Sequence, residues 1–522
     1  MTTILAIILV PFIYIINAFF VGRLIKRKYL TINSFLATTI GFLALMCFFN
    51  IFFFFFFLLD AIILIYVIFI ATVQTILIIF YIFNWKFTII STYRNWKTFI
   101  IFACLFCSCF LISWLCQRPY ESSSALEIIN SFYAINPDML SSINLSLMAI
   151  NFNTLYIFDY IWVTIFNISG QVNIDNFANW SYVIIGSFFV STISIVLFSK
   201  VKSWKKMALN ILLVCLLVAC SLMFYESFFI TNSWSLILIV LYLYLTFSQT
   251  IKQEFKLWFL FIVLWGIVSI CGQSLFIIFG LFIFSIYYFS IRKNDPINHM
   301  LWLLYPVLLC LSYWTIDYTN VYALIIVSIL DAFYLILFTI TMIFKFNIKT
   351  SRINEWISVN VNRIKYLIGI IFILLIIFLT LYQIWTEYEW NFSVYFGEFE
   401  RFFYVTYTSI FGINCPLHGP FMIFLNCFLF VIYATMIILY FVFKAKNNKL
   451  FENAHEFRLM AISVLIFLNP ISMNLLNSFN SIITYDNDVI NVLFWAPAFL
   501  FGWKTINQWK IKPFLEWNYD WY

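Results

Sequence analysis

Charge is the first thing this chain lacks. Of 522 residues, 29 are basic and 22 acidic, so charged side chains make up 10% and the formal net charge is +7. Soluble domains carry about 25% charged and about 45–50% apolar residues, whereas 64% are apolar here. That shortfall excludes a soluble globular enzyme, a disordered chain and a nucleic-acid-binding module. Glycine (12) and proline (10) are almost as scarce. The Gly/Pro-broken helices that cradle substrate in many transporters are hard to build from so few. Histidine occurs only as His299, His418 and His455, all in loops or at the ends of apolar runs. Haem ligation through histidine needs such residues deep on facing helices. No glycine-rich phosphate loop is present. The chain is therefore expected to hold no metal and no cofactor of its own.

What fills the space is phenylalanine, at 67 residues, with isoleucine beside it. Their codons are AT-rich and those of Gly and Pro are GC-rich, so the bias points to an AT-rich genome such as an organelle's. The run Phe52–Phe57 then reads as drift within a lipid-facing helix and not as a binding motif. The eleven cysteines give no zinc spacing. Cys104 and Cys107 form a C-x-x-C, but no second pair or histidine accompanies them. With Cys109 and Cys116 in the same apolar stretch, they read as small packing residues.

A membrane span needs about 20 mostly apolar residues. Candidate spans are 4–22, 34–58, 61–84, 99–116, 181–199, 207–230, 234–248, 257–272, 274–291, 299–316, 320–344, 366–386, 421–443, 459–478 and 489–503. The expected fold is an all-α polytopic bundle of about fifteen spans, within a range of twelve to sixteen. The first span has no basic residue before it and no small-residue cleavage site, so it reads as retained.

Charge tests this division independently. Basic loops at Arg23–Lys28, Lys86–Lys97, Lys200–Lys206, Lys252–Lys256, Arg292–Lys293, Lys345–Lys365, Lys444–Lys449 and Lys504–Lys512 are separated by even numbers of spans. Acidic loops at Glu121–Asp138, Glu387–Glu400 and Asp486–Asp488 lie an odd number away. Basic loops tend to stay on the side of synthesis, which puts the N-terminus on the acidic face and the C-terminus on the basic one. The segment Phe152–Phe166 is short and carries Asp159 at its middle, costly in lipid, so it is read as interfacial or re-entrant.

Four regions follow: N-terminal spans in 1–116, an acidic-side loop in 117–180, a group of spans in 181–291, and further spans in 292–522. Within the last, 350–365 reads as an amphipathic surface helix or interfacial linker. Intramembrane acids are site candidates by default, and Asp331, about eleven residues into its span, is the best buried one. Glu121, Glu127 and Asp138 in the acidic loop allow an alternative reading, a polytopic glycosyltransferase acting on lipid-linked sugars. An unrelated structural membrane subunit is another.

Two segments carry a resemblance. Asn136-Pro137-Asp138-Met139-Leu140-Ser141-Ser142-Ile143-Asn144 resembles a stretch of cytochrome c oxidase subunit III in which Asn-Pro opens a helix and a second Asn follows eight positions on. Tyr225-Glu226-Ser227-Phe228-Phe229-Ile230-Thr231-Asn232-Ser233 is similar to that family's Tyr-Glu-x-x-Phe-x-Ile-Ser segment. The likeness covers about residues 136–233. It implies a non-catalytic subunit of a respiratory complex in the mitochondrial inner membrane. Such a subunit carries no metal, binds phospholipid between its helices and packs beside other membrane subunits. Asn136, Pro137, Asn144, Tyr225 and Glu226 would then serve lipid or subunit contact. The family has seven spans, so the additional ones here would be an extension.

Overall fold

A computed structural model describes residues 2–28, 33–58, 63–83, 96–116, 174–198, 204–225, 233–247, 253–271 and 496–508, with isolated positions between 281 and 374. All the regular structure among the described residues is helical and none is strand. In chain order the helices are α1 (Thr2–Lys28), α2 (Ser34–Leu58), α3 (Ile63–Phe83), α4 (Trp96–Cys116), α5 (Ile174–Phe198), α6 (Trp204–Tyr225), α7 (Ser233–Phe247), α8 (Gln253–Cys271) and α9 (Ala496–Gln508). A segment so rich in apolar side chains has little water to satisfy its backbone, and a helix closes every amide on itself. Three of these helices are long and apolar enough to cross a membrane, over Thr3–Arg27, Thr98–Leu115 and Trp180–Leu197.

Most boundaries fall where apolar content ends, but two differ. Arg23–Lys28, read from sequence as a loop, is the last turn and a half of α1. Lys and Arg are good helix formers, and their long stems let the charge leave the apolar zone without unwinding the backbone. Cations at a helix C-terminus also oppose its dipole. The last span, read as 489–503, is helical over Ala496–Gln508 and so runs on through Lys504; residues 489–495 lie outside the described ones. The next helix after α1 starts cleanly because Asn33 caps it, its Oδ1 accepting from Phe35 N at 2.9 Å.

The helices alternate in direction. Lys26 Nζ at the end of α1 donates to Ser34 Oγ at the start of α2, 2.6 Å away. The end of α3 lies beside the end of α1, Tyr81 standing edge-on to Phe20 at 6.1 Å. Phe35 near the start of α2 stacks on Phe102 near the start of α4 at 5.5 Å. Lys206 at the start of α6 donates to Asn507 O at the end of α9, and Lys504 of α9 sits over Phe247, the last residue of α7. The helix ends that carry Arg23, Lys26, Arg27, Lys206 and Lys504 thus gather at one end of the bundle.

Helix α5 forms the axis, packing against α1, α2, α4, α6 and α7. Over residues 180–197 it is 83% buried, against 39% for the window in α1 and 22% for that in α4, which is peripheral. Phe42 of α2 is the hub. Its ring stacks on Phe189 of α5 at 4.1 Å and lies 6.2 Å from Trp234 of α7 and 6.3 Å from Tyr14 of α1. A ladder of rings, Phe102, Phe106, Phe110 and Trp180, fastens α4 to α5.

The closest approach is between α1 and α2. Ala18 and Gly22 on one, and Ala37 and Gly41 on the other, are small residues four apart. A Cβ on Gly22 would meet Ala37 O, with Ala37 C at 2.6 Å and Thr38 Cα at 2.7 Å. A Cβ on Gly41 would meet Gly22 N, with Ala18 O at 2.5 Å and Gly22 Cα at 2.8 Å. Small residues at this spacing let two backbones touch, which is how helices associate where lipid removes the hydrophobic drive.

Candidate functional site

Three polar clusters lie inside this apolar frame. The first is between α2 and α5, where Thr39 and Thr192 share a buried hydroxyl–hydroxyl hydrogen bond of 2.9 Å. Most other buried hydroxyls turn back onto their own helix. Thr38 donates to Ser34 O, Ser113 to Cys109 O, Ser191 to Ser187 O, Ser194 to Val190 O, Thr246 to Tyr242 O and Ser269 to Trp265 O. This is how a hydroxyl is kept in an apolar interior without a partner helix. Asn17 of α1 differs. It is 1% exposed, and neither its Nδ2 nor its Oδ1 has a hydrogen-bond partner among the described residues.

The second cluster joins α2 to α8 and α3. Trp265 Nε1 donates to Asn50 Oδ1 at 3.1 Å, and Cys47 Sγ donates to Ile262 O at 3.6 Å. Tyr66 of α3 donates to Phe49 O at 2.8 Å. Gly266 lets α8 lie close here, since a Cβ there would stand 2.7 Å from Leu43 Cδ2.

The third lies at the basic end and ties α9 to helices some 300 residues earlier. Lys206 Nζ donates to Asn507 O at 2.6 Å, satisfying a carbonyl in the last turn of α9. Asn210, wholly buried, donates through Nδ2 to Asn507 Oδ1 at 3.2 Å, and its own Oδ1 has no donor among the described residues. Trp503 stands edge-on to Tyr244 at 5.9 Å, and Lys504 Nζ lies 5.6 Å from the Phe247 centroid. A helix of 13 residues has little stability by itself, so these ties hold it. Replacing Lys206 with methionine should cost about 1–2 kcal/mol. A cysteine introduced at Ile506, which is half-buried, should then react faster with maleimide in detergent than in the parent.

Of the residues singled out from sequence, Asn136, Pro137, Asn144, Glu226 and Asp331 lie outside the described ones. Tyr225 is the final residue of α6. Cys104 and Cys107 are free thiols exposed on the outer side of α4, and Cys109 is buried. Among the described residues, no three of His, Cys, Asp and Glu gather. Of segment 350–365, the described positions Glu355, Trp356, Val359, Asn360 and Arg363 are helical.

Sequence reasoning missed the close crossing of α1 and α2, the buried Asn17, and the Lys206–Asn507 tie. The first had a signal, Ala18-x-x-x-Gly22 and Ala37-x-x-x-Gly41. The last had none, because its partners are separated by most of the chain.

Frame and clusters together define a helical bundle with span-length apolar helices and a one-sided basic end. No protein-family model, curated protein or solved structure matches the chain.

Proposed function

We propose that this chain is a polytopic integral membrane protein of about fifteen spans, acting as a non-catalytic packing subunit of a respiratory complex in the mitochondrial inner membrane. The kind of subunit is that of cytochrome c oxidase subunit III. The observation that carries the reading is the character of the outer surface. Ile4, Leu5, Ile8 and Phe12 on α1, Ile65, Ile68, Ile76, Ile79 and Phe83 on α3, and Phe99, Ile100, Leu111 and Leu115 on α4 are all exposed. Apolar faces of that extent need lipid or neighbouring helices against them. The close crossing of α1 and α2 belongs to the same setting. The Asn136–Asn144 and Tyr225–Ser233 segments supply the resemblance, and the second begins where α6 ends.

The test is what accompanies the chain. Affinity-purified from gently solubilised mitochondrial membranes, it should bring haem absorbance and copper in a stoichiometric complex. Glu226→Gln should loosen that complex by about 3–5 kcal/mol if the acid meets a partner in a dry interface, and by about 0–1 kcal/mol if it faces water. A chain that purifies alone, or with bound polyprenyl phosphate, would reject the assignment.

A further inference from the structure

Helix α3 is inside out by the standard of a soluble helix. Its only amide, Gln74, and the phenol of Tyr66 lie on its buried side with Ile70 between them, all three fully enclosed. Tyr66 donates to Phe49 O of α2, which fixes that side against the bundle. The other side carries Ile65, Ile68, Ile76, Ile79, Phe80 and Phe83, all exposed. Thr72 and Thr75 are exposed among them. At about 100° per residue these eight positions sweep about 140° of the helix circumference. Among the described helices α3 packs mainly on α1 and α2.

We propose that this face of α3 meets the acyl chains of the bilayer directly and that no partner subunit sits on it. The inference rests on the membrane reading above and narrows it, assigning lipid to one apolar face where lipid and a neighbouring helix could both serve. Three observations favour lipid. First, no described residue exposed on α3 is Gly, Ala, Ser or Cys. Those are small side chains through which helices approach one another in a membrane, as α1 and α2 do at Gly22 and Gly41. Second, Thr72 and Thr75 donate to Ile68 O and Ala71 O of their own helix, each at 2.7 Å. Where two helices do pack, Thr39 and Thr192 bond across the contact instead. A hydroxyl facing hydrocarbon has only its own helix to bond. Third, the bare arc is wider than the a/d seam through which a single helix packs. The length of α3 suits the same setting. It runs 21 residues without a charged side chain, about 31 Å at 1.5 Å per residue, against a hydrocarbon core of about 30 Å. Partner subunits would then dock on other faces, leaving α3 at the rim of the assembly.

A carbene-generating diazirine dissolved in the acyl phase labels the side chains that face lipid. The full chain in its native membranes can be photolysed with it and the labelled residues read by peptide mass spectrometry. Ile65, Ile68, Ile76 and Ile79 should carry label, and Tyr66, Ile70 and Gln74 none. Label on α1 or α4 with α3 spared would overturn the proposal, because another polypeptide would then cover α3. Label all round α3 would overturn it too, since the Tyr66 side would not be seated on α2. No label on any helix would reject the membrane reading itself, and this face with it. A second measurement asks about partners. Ile68→Ala, Ile76→Ala and Ile79→Ala combined should leave the amounts of co-purifying subunits unchanged, because lipid fills the space given up. Loss of a subunit from a chain of unchanged helix content would overturn the proposal. A chain labelled on this face that purifies alone would uphold the lipid assignment and reject the subunit assignment.

Discussion

Gly22→Ala should destabilise the bundle, although alanine is the better helix former. In a helix interior the exchange normally gains about 1 kcal/mol. Here the new methyl would meet the carbonyl of Ala37 and the Cα of Thr38, backbone atoms that no side-chain rotation can clear. The two helices must part, and overpacking of this kind costs about 1–3 kcal/mol. The clash therefore exceeds the propensity gain, and leucine at the same place should cost more than alanine. Gly502→Ala is the matched control. Among the described residues a Cβ there would meet only the methyl carbons of Leu213 at 3.6 Å, an ordinary contact. That variant should be neutral or up to about 1 kcal/mol more stable. Thermal unfolding in a fixed detergent, followed by near-ultraviolet circular dichroism, should give a lower midpoint for Gly22→Ala and no fall for Gly502→Ala.

Asn17→Leu is expected to stabilise the protein. The amide is enclosed, and its donor and acceptor both lack partners among the described residues. Leaving a buried polar group unsatisfied costs about 1–3 kcal/mol, and leucine keeps the same branching at Cγ without that penalty. The rise in unfolding midpoint should come with unchanged helix content. A fall instead would mean that Asn17 is hydrogen-bonded in the membrane, to an ordered water or another part of the chain. Asn17→Asp offers a second reading of the same place, since a charge there would be far more costly than the amide.

How much of this was legible beforehand depends on the physics that set each feature. The helical character was legible, because long apolar runs leave the backbone to satisfy its own amides. Lys26 meets Ser34, and Tyr81 at the end of α3 meets Phe20 near the end of α1. The extent of α1 was not, because hydropathy falls at Arg23 whereas the helix, having no breaker there, continues to Lys28. Burial was not legible either. Helices α4 and α5 look alike in apolar content, yet one is peripheral and the other central. Their difference lies in small polar residues: Ser181, Ser187, Ser191, Thr192 and Ser194 crowd α5 and are all buried. Such residues pack closely against neighbouring helices and gain nothing from lipid. The sites named from the subunit III resemblance fall outside the described residues, apart from Tyr225 at the end of α6.

The bond from Lys206 to Asn507 also sets a schedule. The two residues are 301 positions apart, and a ribosome adds about 5–20 residues per second. Helix α6 therefore waits about 15–60 s after its own synthesis before α9 exists to cover it. Throughout that interval Lys206 and the buried Asn210 face whatever surrounds the nascent chain. Insertion factors or early-arriving lipid have their opportunity at this face of α6.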